Sequence, residues 1–320
     1  MQWTARTACD PGRILAAMIA HYAGIAGRMF NTPLMYAPEK ASTVAMSIGP
    51  RVLGGVVSVG GGIEPAHHLP RAGVPGDPLG QSYDRAGILP FQVVNGVAVI
   101  QISGSLVHKG GYVGAMSGAT SYEGLQAQIV RAASSSAVRA VVFDIDSFGG
   151  EVSGAFETAQ MLSDLSAQKP TLAILTDFAL SAAYLLASQA RQIVIPEFGQ
   201  AGSIGVITMH ADWSQAIAAS GVNITIISSG EQKTDGSPYA PLPDGVREQI
   251  QATIDMMRER FAEFVAAGRG ARMTKDQALA TEAASFMGAE AVSIGLADAV
   301  ADPATAFNAF VSEINKGKTR

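Results

Sequence analysis

The stretch FALSAAYLLAS, residues 178–188, decides the fold, because its serine opens a helix of small residues directly after an apolar strand predicted at Thr171–Thr176. Earlier in the chain, the turn SFGG, residues 147–150, follows a second apolar strand predicted at Ala140–Ile145. An isolated Lys233 comes later, in a polar loop. A nucleophile, backbone N–H donors and an amine base are the parts of an acyl-transfer site. The pattern therefore predicts a serine peptidase of the Ser-Lys type.

The composition argues against several other classes of protein. The chain has 320 residues, of which 48% are hydrophobic and 15% charged, and its formal net charge is −5. Nucleic-acid binding usually needs a clustered basic face, and the basic residues here are scattered. The single Cys9 excludes an intramolecular disulfide framework and a cysteine-rich metal site. We expect no nucleic-acid partner, no metal and no organic cofactor.

The apolar segment Ile14–Met29 resembles a membrane or signal segment only superficially. It is shorter than the ~20 residues that a spanning helix needs, and His21 interrupts it. A signal peptide would carry a basic region before the apolar run, whereas Asp10-Pro11-Gly12 stands there. We expect an amphipathic docking helix, no stable membrane insertion and a cytoplasmic protein.

Composition along the chain suggests four regions. Residues 1–48 are predicted as an N-terminal helical extension, which includes a helix from Pro38 to Ile48, and residues 49–90 as a Gly/Pro-rich linker. Residues 91–302 form the predicted catalytic domain and residues 303–320 a C-terminal tail. His67-His68 lies in the linker without a ligand partner at metal-binding spacing, so the pair is predicted to be solvated.

From Val93 onward, short apolar strands alternate with helices. This pattern predicts an α/β fold with a largely parallel, buried sheet. The predicted strands are Val97–Ile102, Ala140–Ile145, Thr171–Thr176, Gln192–Pro196, Gly205–Met209 and Asn223–Ile227. The predicted helices are Tyr122–Ala133, Ser153–Ala167, Ser181–Gln189, Trp213–Ser220 and Gly245–Ala267.

Each candidate site residue also has an ordinary structural interpretation. Gly149-Gly150 taken alone is a strand-to-helix turn, although such a turn can direct N–H groups at an oxyanion. Ser181 taken alone is a helix N-cap. Its small neighbours would let a substrate carbonyl approach, and the N–H of Ala182 would supply a second oxyanion donor.

The sequence leaves two candidates for the general base, a lysine and a histidine. Lys233 in a polar loop would normally be solvated, and a lysine acts as a base only in its neutral form, which burial favours. Lys109 and Lys233 both lie in glycine-containing loops beside predicted strands. The competing arrangement is a Ser-His-Asp triad in which His210 pairs with Asp212 or Asp235.

Four motifs occur in a characteristic order, listed here as they stand: DIDSFGG at 144–150, LSAAY at 180–184, GSIGV at 202–206 and GEQKTDGSP at 230–238. In this order they resemble the signal peptide peptidase A family of serine peptidases, and within it the phage branch of protein C capsid-assembly proteases. The similarity runs from about Val97 to Val300. Two motifs depart from the usual pattern, since Phe148 replaces a proline and Ala182-Ala183 replaces two glycines.

The resemblance implies a role for each site residue. Ser181 is the nucleophile, Lys233 the general base and Ser203 the residue that orients the lysine amine. The Gly149–Gly150 turn helps to form the oxyanion hole. The implied fold is a Clp/crotonase-like spiral of ββα units, often assembled into homo-oligomeric rings.

The phage branch further implies a soluble head-maturation protease that cleaves scaffold or portal protein, in the host cytoplasm or inside the procapsid. Three alternatives stay open. They are a bacterial signal peptide peptidase-like protease that degrades membrane or signal peptides, a weakly active ring-forming assembly protein, and a crotonase-like enzyme acting on an acyl-CoA thioester.

Overall fold

A computed structural model describes residues 30–38, 40, 77–110, 112–116 and 118–316. The predicted helix Ile14–Met29, most of the helix predicted from Pro38 to Ile48, Cys9 and His67-His68 lie outside the described residues. The described chain divides into two compact units. The larger contains the described residues of 33–38, 77–207 and 251–316, and the smaller contains residues 30–32, 40 and 208–250.

All strands among the described residues lie in the larger unit. In chain order they are β1 Leu34–Tyr36, β2 Gln92–Val94, β3 Val97–Ser103, β4 Ser105–Val107, β5 Ala115–Met116, β6 Ala119–Ser121, β7 Ala140–Ser147, β8 Gly149–Glu151, β9 Thr171–Leu180, β10 Gln192–Ile195, β11 Gln200–Gly202, β12 Ser285–Met287 and β13 Ala299–Val300.

The helices among the described residues are α1 Pro78–Ala86, α2 Tyr122–Ser134, α3 Ala155–Gln168, α4 Ala182–Ala187, α5 Ser214–Ala219, α6 Asp244–Arg269, α7 Lys275–Ala280, α8 Gly288–Ser293 and α9 Pro303–Asn315. Two short 3-10 helices span Glu231–Thr234 and Gly270–Arg272. The five predicted helices from residue 122 to residue 267 are confirmed, with bounds that shift by one or two residues.

The main sheet has the path β12-β11-β9-β7-β3-β2, and β10 pairs with β9 and β13 beside that path. Its central pairs, β3 with β7 and β7 with β9, are parallel. Both faces are apolar, because Val141, Phe143 and Ile145 of β7 enter one core cluster while Ala140 and Val142 enter the other. The expected α/β fold with a buried, largely parallel sheet is therefore confirmed.

A second, smaller sheet has the order β1-β8-β4-β6-β5. Its strand β8 pairs antiparallel with β1 and parallel with β4. Because β8 directly follows β7 in the chain, it connects the small sheet to the centre of the main sheet.

Regular elements also occur where the sequence suggested a linker and a tail. Helix α1 lies within residues 49–90. Arg131 of α2 forms ion pairs with Asp77 at the start of α1 and with Asp84 near its end. Helix α9 begins with Asp302 as its N-cap, and its Ala306 and Phe310 cover the second face of the main sheet.

Two strand predictions were wrong. Residues 205–209 form only one bridge, between Ile207 and Leu34. Residues 223–227 form no strand, and Ile224, Ile226 and Ile227 are exposed there. The β-branched pattern is present in both segments, but a strand also needs a neighbour that satisfies its backbone groups, and the described residues provide none for 223–227.

A buried ion pair fixes the C-terminal half of the larger unit. The guanidinium of Arg269 at the end of α6 is fully buried and donates to both carboxylate oxygens of Asp298, at 3.1 and 2.8 Å. Asp298 also accepts the N–H of Ile193 in β10 at 2.7 Å. Burial alone would raise the pKa of Asp298, but the bonds from Arg269 and its neighbours hold that pKa below its usual range.

We expect Arg269→Ala to lower the free energy of unfolding by about 3 kcal/mol, because Asp298 loses its fully buried partner and keeps only Arg272 and the N–H of Ile193. Arg247→Ala is the matched control, since Arg247 pairs with Asp244 at the surface and should contribute at most about 1 kcal/mol. The pKa of Asp298 is lower in the folded than in the unfolded chain. The pair's contribution is therefore complete above the unfolded value and disappears as pH falls through the folded one. Denaturant unfolding at several pH values measures both effects, and equal losses for the two variants would contradict this account.

Candidate active site

Ser181 stands between a strand and a helix with no loop on either side. Strand β9 ends at Leu180 and α4 begins at Ala182. The backbone of Ser181 has φ 56° and ψ −122°, a conformation that costs free energy in any residue other than glycine. Its side chain is fully buried and forms no N-cap hydrogen bond, so the interpretation of Ser181 as an ordinary helix cap does not hold. A strained serine at a strand-to-helix turn is typical of a nucleophile.

The pairing of β11 with β9 brings Ser203 next to Ser181. The strands are parallel and both end at the pair Gly202–Leu180, so Ser203 and Ser181 are the first residues after the two paired strands. The N–H of Ser181 donates to Gly202 O at 2.8 Å. Ser203 is buried and has a positive φ of 55°, and its N–H donates to Ala284 O at 2.9 Å.

The glycine turn lies on the other side of Ser181. Strand β7 pairs with β9 so that Ser147 is opposite Ala179. Gly149 has φ 99°, and a Cβ added to it would lie 3.0 Å from the Cβ of Ser181. The N–H of Gly149 donates to the Oγ of Ser147 at 3.1 Å, so an oxyanion at Ser181 would compete with that hydroxyl for this donor.

Gly150 has no room for a side chain. A Cβ at this position would lie 1.9 Å from Leu106 O in β4, an atom of the backbone that cannot rotate away. The strand β8 is also held from the same side by side chains. Glu151 accepts the N–H of His108 at 2.8 Å, and the hydroxyl of Tyr122 donates to Glu151 O at 2.9 Å.

Phe148 links the glycine turn to strand β9, a contact that the sequence does not indicate. Its ring stacks on that of Phe178 in β9, with 4.4 Å between centroids and an interplanar angle of 27°. The stack joins the turn to the strand that delivers Ser181. The stack therefore restrains the turn.

Helix α4 is anchored beneath Ser181. Ala182 and Ala183 are fully buried, so the small residues after the nucleophile pack in the core. Tyr184 is also buried, and its hydroxyl donates to Leu296 O at 2.9 Å. Burial raises the pKa of Tyr184, which keeps the phenol neutral and able to donate this bond.

Lys233 lies in the smaller unit, in the 3-10 helix Glu231–Thr234, and its side chain is exposed. The structure therefore brings together Ser181, Ser203, Gly149, Gly150 and Ala182 within the larger unit, and it assigns Lys233 to a different unit.

The competing histidine has other partners. A ring nitrogen of His210 lies 3.1 Å from Ser237 O. Asp212 accepts the N–H of Ser214 at 2.9 Å, and the hydrogen bonds from Ser214 hold the pKa of Asp212 below its usual range. Asp212 also interacts electrostatically with His210, but among the described residues no hydrogen bond joins the two side chains as it would in a serine triad.

Two features of the site were missed in the sequence. The carbonyl oxygen of Gly205 lies 3.5 Å from the Oγ of Ser181. Strand β1, which lies between the two helices predicted for the N-terminal extension, is placed against the glycine turn, with Met35 opposite Gly150. Pro33 and Pro38 flank an apolar segment too short for a helix, and that was the available signal.

Among the described residues, no group of three or more His, Cys, Asp or Glu side chains is arranged to hold a metal ion. Within the same residues, no helix combines the length and apolar character that crossing a bilayer requires.

Comparison with known proteins identifies the following similarities. The sequence profile of peptidase family S49 matches residues 163–315. The capsid assembly protease C of Escherichia phage lambda is 35% identical over 96% of this chain and 69% of its own length. The head-tail preconnector protein GP5 of Enterobacteria phage P21 is 36% identical over 89% of this chain and 56% of its own length. Among solved structures, an enoyl-CoA hydratase from Shewanella pealeana is 11% identical, with 70% of this chain and 72% of that chain covered and a TM-score of 0.41.

We expect Gly150→Ala to lower stability by about 1–3 kcal/mol and to reduce peptide cleavage, because the methyl group must push β8 away from β4 and displace the turn beside Ser181. Gly245→Ala is the matched control, since a Cβ there meets open space. Thermal unfolding and cleavage rates measure the two effects. Unchanged values for Gly150→Ala would show that the turn tolerates displacement.

Proposed function

The chain belongs to peptidase family S49, and we propose that it is an endopeptidase in which Ser181 is the nucleophile and Lys233 the general base. The observation that carries the proposal is the strained, uncapped Ser181, wedged between the glycine turn and Ser203. In the reaction, the Oγ of Ser181 attacks the peptide carbonyl and its proton passes to the Nζ of Lys233. The same proton then goes to the leaving amine, and a water hydrolyses the acyl-enzyme.

The surroundings of Ser181 support its role through geometry. The φ of 56° directs the side chain away from the capping position, and the paired strands fix its backbone on both sides. Backbone N–H groups of the Gly149–Gly150 turn and of Ala182 would stabilise the oxyanion. A single donor of this kind lowers the barrier by ~3 kcal/mol.

The role of Lys233 is supported by a different argument. Its motif follows those of Ser181 and Ser203 in the order that the family resemblance implies. The alternative base, His210, has its described hydrogen bond with Ser237 O and interacts with Asp212 only electrostatically. Ser203, which directly follows β11 as Ser181 directly follows β9, would orient the amine of Lys233 during proton transfer.

The names of two phage relatives support a proposal for the biological setting. One is named a capsid assembly protease and the other a head-tail preconnector protein, so both names refer to assembly of the phage particle. We infer that this chain matures a phage or prophage head by cleaving scaffold or portal protein, in the host cytoplasm or inside the procapsid.

The two candidate bases are distinguished by three variants tested on casein and on a candidate scaffold protein. Ser181→Ala should reduce cleavage by on the order of 10⁴-fold or more. Lys233→Arg should also be inactive, because a guanidinium stays protonated and cannot accept the serine proton. His210→Ala should keep most of the wild-type rate. An inactive His210→Ala enzyme beside an active Lys233→Arg enzyme would reverse the assignment.

We also propose that copies of this chain associate into a ring. Val222, Ile224, Ile226 and Ile227 form an exposed apolar segment in the smaller unit, with Ile227 94% exposed. A cluster of exposed β-branched residues is typical of a protein interface.

Ile227→Asp should shift the molecular mass measured by light scattering toward that of a single chain, because it places a charge in the apolar segment. Phe198→Asp is the control, because Phe198 is also exposed (79%) but lies in the other unit. If Ile227→Asp and the wild-type chain have the same mass, the segment is not the interface.

A further inference from the structure

Strand β1 occupies an unusual position next to the glycine turn. Its three residues pair antiparallel with β8, with Leu34 opposite Glu151, Met35 opposite Gly150 and Tyr36 opposite Gly149. Just beyond the strand, the N–H of Ala37 donates to Phe148 O at 3.0 Å. An extended segment of the chain therefore lies along the strand that carries the proposed oxyanion donors.

The opposite edge of β1 is also paired. The N–H of Leu34 donates to Ile207 O at 2.8 Å, and the N–H of Ile207 donates back to Leu34 O at 2.8 Å. Residue 207 follows Ser203 and Gly205, both of which border Ser181. β1 thus lies in a slot between β8 and Ile207. Both sides of this slot are close in sequence to residues that surround Ser181.

The backbone of β1 also comes close to the nucleophile. A Cβ added to Gly149 would lie 2.1 Å from the carbonyl oxygen of Met35 and 3.0 Å from the Cβ of Ser181. The Met35 carbonyl and the Ser181 side chain therefore border the same small volume. A peptide bound for cleavage must present a carbonyl in that neighbourhood, with its backbone extended and paired to a strand edge.

The side chains of β1 fill the slot. Leu34, Met35 and Ala37 are at most 1% exposed, and Tyr36 is 8% exposed. The Tyr36 hydroxyl donates to the hydroxyl of Ser105 in β4, and burial raises the pKa of Tyr36, so it stays a neutral donor. No room is left in the slot for a second extended chain.

The two sides of β8 differ in how they are held. On its β4 side, β8 is fixed by the close approach of Gly150 to Leu106 and by the bonds of Glu151 to His108 and Tyr122. On its β1 side it has a three-residue strand between Pro33 and Pro38, neither of which has an N–H to extend the pairing. The ladder between β1 and β8 has only three residue pairs, and β1 is the neighbour that the proposal treats as exchangeable for another strand.

We propose that Pro33–Pro38 is an internal competitor that occupies the substrate strand of the site, so that the chain is self-occluded until this segment leaves. The inference rests on the proposed function, because it takes Ser181 as the nucleophile. A substrate must displace β1 and take over its pairing with β8 and Ile207. The segment thus regulates the site through competition and needs no distant conformational change.

The test uses the full chain and an extended synthetic peptide that the wild-type protein cleaves. Met35→Asp places a carboxylate at a fully buried position and should expel β1. We expect kcat/KM to rise by about tenfold or more, mainly through a lower KM, because the internal competitor is removed. Met256→Asp is the matched control, since Met256 is 64% exposed on α6, and its kinetics should equal those of wild type.

Tyr36→Phe is a nearly isosteric second variant that guards against misfolding. It removes only the bond to Ser105 and should give a smaller rise in kcat/KM with an unchanged cooperative unfolding transition. If Met35→Asp does not unfold cooperatively, Tyr36→Phe decides the matter. Wild-type kinetics in a folded variant would overturn the proposal.

Hydrogen exchange supplies a readout that does not depend on the rate of peptide cleavage. When a peptidyl inhibitor acylates Ser181 of the wild-type chain, the amides of Leu34 and Ala37 should lose protection because β1 has been displaced. Continued protection of both amides in the acylated protein would show that β1 does not occupy the substrate position.

A further control separates this proposal from the proposed function. Ser181→Ala combined with Met35→Asp should abolish cleavage. Persistent cleavage by the double variant would refute Ser181 as the nucleophile. If the double variant is inactive while Met35→Asp behaves as wild type, only self-occlusion is refuted.

Discussion

The parallel register of three neighbouring strands, β7, β9 and β11, is the constraint on which the rest of the site depends. Gly202 lies opposite Leu180 and Ser147 lies opposite Ala179, so the chain leaves all three strands at one edge of the sheet. The residues that follow, Ser203, Ser181 and Gly149, then become neighbours although they are far apart in sequence. A slip of one residue in either pairing would turn alternate side chains to the opposite face and separate the serine from the glycine turn. The two apolar faces of β7 and β9 make such a slip costly, since each face is buried against its own core cluster.

Backbone strain at this edge is maintained by packing around it. Ser181 and Ser203 both have positive φ angles, which an isolated chain would avoid. The buried helix α4 holds the first, through Tyr184 and its bond to Leu296. The bond from the Ser203 N–H to Ala284 holds the second. The Phe148–Phe178 stack restrains the glycine turn on the other side of Ser181. The site is thus rigid on its main-sheet side, and the short strand β1 is its exchangeable part.

Much of this arrangement can be predicted from the sequence, because it depends on patterns within short segments of the chain. The apolar runs at Ala140–Ile145 and Thr171–Thr176 predict buried strands because both faces of those strands are covered. The small residues after Ser181 predict a tight strand-to-helix junction. The order of motifs then identifies the family, which the match to peptidase family S49 confirms.

The failures have a common physical cause, which is that strand formation depends on a partner. The β-branched residues at 223–227 have strand character but no neighbouring strand among the described residues, and they stay exposed. Residues 34–36 lack a strong local pattern but become a strand because β8 and Ile207 pair with both of their edges. Likewise, the tail residues Ala306 and Phe310 are buried because the second face of the sheet needs a cover. Pairing and coverage of this kind are properties of the folded chain, and a short segment does not reveal them.

Three serines, at positions 147, 181 and 203, meet at this edge of the sheet, and the central claim is that only Ser181 is the nucleophile. The most direct measurement is to react the full chain with a fluorophosphonate probe and to locate the adduct by mass spectrometric fragmentation. Fragment ions must be used, because Ser147 and Ser181 fall in the same tryptic peptide. The account predicts a single adduct on the Oγ of Ser181. An adduct on Ser147 or Ser203 in place of Ser181, or cleavage of substrate by protein that never forms an adduct, would contradict it.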